Sequence, residues 1–138
     1  MSPDELEIAS ASEVRSSYAF IFDCVVRLYN FQFKKKPSKK FDDVVKATEE
    51  LKEAGAISDF IYESLKTVYD LYPTMMPGKV AEGYKKNREA EEERLIRLSK
   101  LLDITIGDLC GEIQDISDKA SEHDRAQLAF LIKTGYTN

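Results

Sequence analysis

VRSSYAFIFDCVVRLY, residues 14–29, decides the fold of this chain. Val14, Tyr18, Phe22, Val25 and Tyr29 recur at three- and four-residue steps, the spacing that gathers side chains on one face of an α-helix. Phe20, Ile21, Val26 and Leu28 widen the stripe until the helix is apolar nearly all round, the pattern of a helix enclosed by others. Asp23 and Arg27 stand one turn apart, spaced for an ion pair. These residues predict the central helix of an all-α bundle. It begins at Pro3, a favoured first helical position, or at Ser12 after the serine-rich stretch 10–17, and it ends near Asn30.

Outward from that stretch the sequence is punctuated for more helices. Ser2/Glu5, Ser10/Glu13, Thr105/Asp108 and Ser121/Asp124 each place a hydroxyl three residues before an acid, the capping arrangement of a helix start. Each is worth about 1 kcal/mol. Pro37 closes a basic loop, Ser38 caps a second helix running to Ala54 on the stripe Phe41, Val44, Val45, Thr48 and Leu51, and Gly55 supplies its left-handed stop. Ser58 caps a third, with Ile57 and Tyr62 as a hydrophobic staple and the stripe Ile57, Ile61, Leu65, Val68, Tyr72 ending at Pro73. Linked by so short a turn, the second and third helices form an antiparallel hairpin.

A fourth helix is expected from about Val80, through the polar run 85–94, to the apolar positions Leu95, Leu98 and Leu102. Asp103 breaks that pattern and Thr105 restarts it. The fifth carries a heptad, Ile106, Leu109, Ile113, Ile116 and Ala120, although Gly107 and Gly111 weaken it by about 1 kcal/mol each. A sixth, opened by Ser121, carries Leu128, Leu131 and Ile132 and stops at Gly135. The expectation is one helical domain of five or six helices across residues 1–138.

With 138 residues and 43% hydrophobic content, the chain is long enough to bury roughly two thirds of its unfolded surface without disulfide or metal. Cys24 and Cys110 sit in apolar stretches, as buried hydrophobes of a reducing compartment do. The longest apolar stretch, 18–22, is too short to span a bilayer, and three acids in the first seven residues do not make a basic secretory leader. Together these imply a cytoplasmic protein that does not enter membranes.

The formal net charge of -5 argues against a general nucleic-acid binder, which needs a dominant basic face. The charge is nevertheless uneven. Lys34, Lys35, Lys36, Lys39 and Lys40 form a basic knot, and Glu89, Glu91, Glu92 and Glu93 an acidic one. Both read as solvated faces, and their opposite signs also allow them to meet across a homodimer. Phe31, Phe33 and Phe41 flank the lysines, which suits stacked single-stranded nucleic acid or an acidic protein partner. Met75 and Met76, between two prolines, are adaptable contact groups or a cover for the bundle end.

Chemistry has little to work with. His123 is the only histidine, the glycines are scattered, and no zinc-type spacing exists. Carboxylates are abundant: Glu49, Glu50 and Glu53 stand as E-E-x-x-E, and Glu112 with Asp115 as E-x-x-D, each set on one helix face where it would suit a hard cation. This pair resembles the motifs of all-α nucleoside triphosphate pyrophosphohydrolases, which implies a magnesium site. Residues 54–111 separate the two strings, where that family links its motif helices closely.

Residues 94–112, RLIRLSKLLDITIGDLCGE, resemble the closing helices of a phage-repressor helix-turn-helix domain, which implies phosphate contacts from Lys85, Lys86 and Arg88. The upstream scaffold and recognition helices have no counterpart in 73–88. Residues 51–71, LKEAGAISDFIYESLKTVYDL, resemble a helical hairpin of toxin-type HEPN ribonucleases. That family's arginine ahead of its histidine is replaced here by Asp118, Ser117 and Ile116, which implies an inactive relative.

The functional expectation is a non-catalytic helical protein that binds another protein or regulates one, self-associating as a homo-oligomer and using no cofactor. Leu109, Ile113 and Ile116 would form its seam. The alternatives are the magnesium-dependent pyrophosphohydrolase-like enzyme and a nucleic-acid-binding regulator acting through residues 34–40 or the helix-turn-helix-like segment.

Overall fold

Pro3 at the first helical position and no strong breaker before residue 34 let α1 run unbroken over Pro3–Phe33 in the computed structural model. The structure describes residues 3–125 and 128, with residues 3–10 as backbone. The Ser10/Glu13 box and Ser12 therefore lie inside a helix and start nothing, because serine is only mildly disfavoured in a helix interior. The Ser2/Glu5 box lies outside the described residues.

Lys34, in the left-handed region at φ 59, ends α1 three residues later than the apolar stripe implies. The chain then doubles back along α1. Lys39 reaches Asp23 at 2.7 Å, so α2 (Phe41–Glu53) starts beside Phe22, whose ring centroid lies 6.1 Å from that of Phe41. From there α2 runs parallel to α1, and the Tyr29 hydroxyl donates to Glu50 at 2.9 Å. Ser38 does not cap α2. Its hydroxyl accepts from the Lys40 amide at 3.2 Å and donates to Asp43 at 2.5 Å, which leaves Lys40 at the N-cap without a side-chain bond.

Gly55 turns the chain at φ 69, and Ser58 caps α3 (Asp59–Leu71) by accepting from the Ile61 amide at 3.2 Å. The hairpin closes on a buried hydroxyl pair. Thr48 Oγ1 donates to the Val44 carbonyl at 2.9 Å, so in its 2.8 Å contact with Tyr69 the tyrosine is the donor. Pro73 does not end the helical path outright. It tightens the chain into a 3-10 turn, Tyr72–Met75, which packs Tyr72 against three rings from two helices. Tyr72 is stacked on Phe41 at 4.6 Å and edge-on to Tyr18 and Phe22 at 4.9 and 5.2 Å.

The last third departs most from the sequence pattern. α4 is short, Pro77–Lys86, and Asn87 breaks the chain where the polar run suggested continuous helix. The Asn87 side chain accepts from the Ala90 amide at 3.1 Å, a cap that opens α5, Arg88–Lys119. No break occurs at Asp103. Thr105 is buried, and its hydroxyl donates to the Leu101 carbonyl at 2.9 Å, the alternative use of a helical threonine that leaves the backbone helical. Ser121 does open a new turn, accepting from the Asp124 amide at 3.3 Å. Leu131, Ile132 and Gly135 lie outside the described residues.

α1 and α5 run in the same direction. Arg15, in the first half of α1, and Arg94, near the start of α5, both reach the 3-10 turn, at Met75 O (3.4 Å) and Thr74 Oγ1 (2.8 Å). Lys34 and Asp124, beyond their ends, approach to 3.9 Å. Between these points lies the core: Val14, Tyr18, Ile21, Val25 and Leu28 from α1, and Leu95, Leu102, Ile106, Leu109 and Ile113 from α5, all essentially inaccessible. The heptad is thus core, and Leu109 and Ile113 are not available for a subunit seam. Ile116 is half-buried, and Ala120 lies past the end of α5.

α4 is held onto α5 by a close approach. Glu91 is 5% exposed, accepts two bonds from Arg94 at 2.5 and 3.0 Å, and has Gly83 of α4 directly above its carboxylate. A Cβ at position 83 would land on those oxygens. Gly83→Ala is expected to destabilise the protein by about 1–3 kcal/mol in urea unfolding, the cost of overpacking. In a Glu91→Ala background the same change should become stabilising, by up to about 1 kcal/mol from helix propensity.

Candidate functional site

Each sequence-predicted cluster occupies a different part of the surface. In the basic loop, Lys39 is bound to Asp23, and Lys34 lies 5.3 Å from the Phe31 ring while approaching Asp124. Lys35, Lys36 and Lys40 are exposed. Lys36 lines a depression of about 300 Å³ with Asp23, Val26, Arg27 and Asn30. Phe31, Phe33 and Phe41 are half-buried against the core, so they are not free stacking platforms.

The acidic knot is also spent locally. Glu91 is buried against Arg94, while Glu92 and Glu93 approach Arg88 and Arg97 at 3.5 and 4.0 Å. Because α1 and α5 are parallel, the basic knot after the end of α1 and the acidic one at the start of α5 lie toward opposite ends of the helix pair.

The carboxylates of the metal reading do not converge. Glu49 accepts from Tyr62 at 2.7 Å and from Lys66 at 3.3 Å, Glu50 accepts from Tyr29, and Glu53 and Asp115 are exposed. Glu112 instead grips the start of α3, accepting from the Ser58 amide at 2.6 Å and its hydroxyl at 2.7 Å. Among the described residues no three His, Cys, Asp or Glu side chains are grouped to hold a metal ion.

Residues 94–112 form one uninterrupted run of α5, which removes the two closing helices of the helix-turn-helix likeness. The α2–α3 hairpin of the HEPN likeness is present, and His123 is exposed. Met75 is fully buried under the 3-10 turn, whereas Met76 is 41% exposed. No helix among the described residues is long and apolar enough to cross a membrane.

The seam between α3 and α5 is bordered by exposed apolar side chains that no local sequence pattern announces. The Ser58–Glu112 and Thr74–Arg94 bonds fix these helices antiparallel and in register. Helical periodicity then sets Phe60, Ser64 and Leu71 along one side, and Leu101 and Ile104 along the other. Phe60 is 65% and Ile104 63% exposed, large side chains that a chain of this size has room to bury. The outward surface of α3 carries exposed Asp59, Glu63 and Asp70, the last beside a depression shared with α2, and that of α5 carries exposed Lys100, with Arg97 on the same stripe as Ile104 and 4.0 Å from Glu93. Ile96, also exposed, lies on the far side of the α5 surface. Phe60 and Ile104 break the polar side of two amphipathic helices, a signal visible in the sequence once the register is known.

The chain matches no protein-family model, no curated protein and no solved structure.

Asp23 is the electrostatic anchor of the returning loop. Burial raises its pKa, but bonds from Lys39 and Arg27 outweigh burial and hold the carboxyl below its ordinary 3.8. A depressed carboxyl contributes stability above its unfolded pKa and loses it as pH falls through the folded one. Asp23→Asn should therefore cost about 1 kcal/mol at neutral pH, and the gap to wild type should shrink below pH 4. Urea midpoints measured across pH 2–7 check this.

Proposed function

We propose that this chain is a non-catalytic helical interaction protein that associates with a second copy of itself through the α3–α5 surface. The observation that carries this is the exposure of Phe60 and Ile104 on the outward surfaces of the antiparallel pair α3 and α5, the first bearing exposed acids and the second exposed bases. Contiguous exposed apolar side chains with a polar surround are the composition of an association surface.

Charge selects the partner and its orientation. A two-fold axis in the contact plane and parallel to the helices sets α3 of each chain against α5 of the other and preserves position along the helices. Asp70, level with residues 98–100 of α5, then faces Lys100 and Arg97 of the second chain, and the pairing occurs twice. The perpendicular axis would place α3 on α3, acid against acid. The two charge knots are not the contact, because Lys39, Glu91, Glu92 and Glu93 have partners within their own chain.

Light scattering should give twice the 15.7 kDa chain mass at micromolar concentrations and low salt. Ile104→Lys should return it to the monomer, a central apolar contact being worth about 2 kcal/mol or more. Lys100→Asp and Asp70→Lys should each weaken association, and the double exchange should restore it. A monomer at all concentrations, or a dimer indifferent to all three changes, would overturn the proposal.

A further inference from the structure

Five lysines stand in the loop between α1 and α2, on a chain whose formal net charge is -5, and the α3–α5 surface uses none of them. Structural duties account for two. Lys39 fastens the loop to Asp23 at 2.7 Å, and Lys34 approaches Asp124. Lys36 is exposed, has no ion pair among the described residues, and lines the depression beneath the loop.

The wall opposite Lys36 is one face of α1. Asp23, Val26, Arg27 and Asn30 follow one another at helical three- and four-residue steps, and with Lys36 they enclose about 300 Å³. That is the lower end of the range of small-ligand sites. Asp23 decides the charge of this space. Each of its carboxylate oxygens is already taken by a different cation, Oδ2 by Arg27 Nε at 3.0 Å and Oδ1 by Lys39 Nζ at 2.7 Å. One acid therefore stands against two bonded cations and Lys36 makes a third, which leaves the positive excess that a dianion would balance.

The donors suit an oxyanion as well. A guanidinium and a side-chain amide present N–H groups in fixed directions, and an ammonium can turn its own toward any oxygen. The loop is also set over this wall at some conformational cost. Lys34, at φ 59, is the one non-glycine among the described residues in the left-handed region, and backbone held in such a conformation clusters at ligand clamps.

We propose that this depression binds a small phosphate dianion, free or as the monoester of a small organic molecule. A nucleic acid suits it less. Phe31 and Phe33 beside the lysines are packed against the core and offer no stacking platform,, and the chain's negative net charge opposes a long polyanion. A concave site that faces one group, in place of a broad basic patch, takes a single phosphoryl group.

The test titrates the full-length protein with inorganic phosphate, and separately with glycerol phosphate, at constant ionic strength, and follows the side-chain N–H signals of Arg27 and Asn30 by NMR. Both signals should shift and saturate, with a Kd on the order of 1 mM or tighter. Lys36→Gln alters an exposed side chain and should weaken binding roughly tenfold, the loss of one hydrogen bond to a charged group. Lys100→Gln, at an exposed lysine on α5, should leave it unchanged. Tighter binding of glycerol phosphate assigns the site to organic monoesters, and equal binding assigns it to free phosphate. Shifts that grow without saturating, or that are the same in both variants, would overturn the proposal. So would a single-stranded oligonucleotide that binds more tightly than either probe and depends on Lys35 and Lys40 as strongly as on Lys36.

Discussion

Everything in this molecule is arranged around the parallel packing of α1 on α5. Two helices of about thirty residues share one apolar seam, and parallel neighbours cannot be joined by a tight turn. The chain must therefore carry residues 34–87 back to the starting end before α5 can begin. It does so in three steps: the loop that doubles back along α1 to Asp23, the α2–α3 hairpin, and the 3-10 turn with α4. Each step is fastened by a polar bond at its corner, namely Lys39 to Asp23, Tyr69 to Thr48, and Arg94 to Thr74 with Glu91 beneath. The seam supplies the burial, and the polar corners give the return path a unique course.

That topology also disposes of the charge. A run of lysines or glutamates read in isolation suggests a binding surface, yet both runs here are turned partly inward to secure the helix ends. A quieter surface lies elsewhere, on the outward sides of α3 and α5. There two large apolar residues stand clear of the core, beside exposed acids on α3 and exposed bases on α5. The interaction reading rests on that combination and not on the charge knots, which the sequence makes more conspicuous.

The architecture was legible from periodicity because α1 is apolar on almost every side and the caps Ser58 and Ser121 and the turn at Gly55 act locally. The boundaries that failed did so for one reason. A hydroxyl three residues before an acid serves equally as a cap or as an interior donor to the carbonyl one turn back, and burial decides which. Thr105, buried on the seam, took the second course, and Ser10 lay within a helix already running. Asn87 caps α5 without a periodic signal behind it, because the residues that follow are polar and show no stripe. The site was less legible still: Glu112 has the spacing of a metal ligand but binds the start of α3, and the α3–α5 surface exists only through an antiparallel register that no local pattern encodes.

The central claim is that two copies meet through this surface about an axis parallel to their helices. Zero-length carbodiimide cross-linking of an equimolar mixture of light and heavy-isotope chains tests it most directly, because a mixed-label link can arise only between two molecules. The account predicts mixed-label links joining Lys100 to Asp70. Mixed-label links confined to residues 34–40 and 89–93, or links of single label alone, would contradict it.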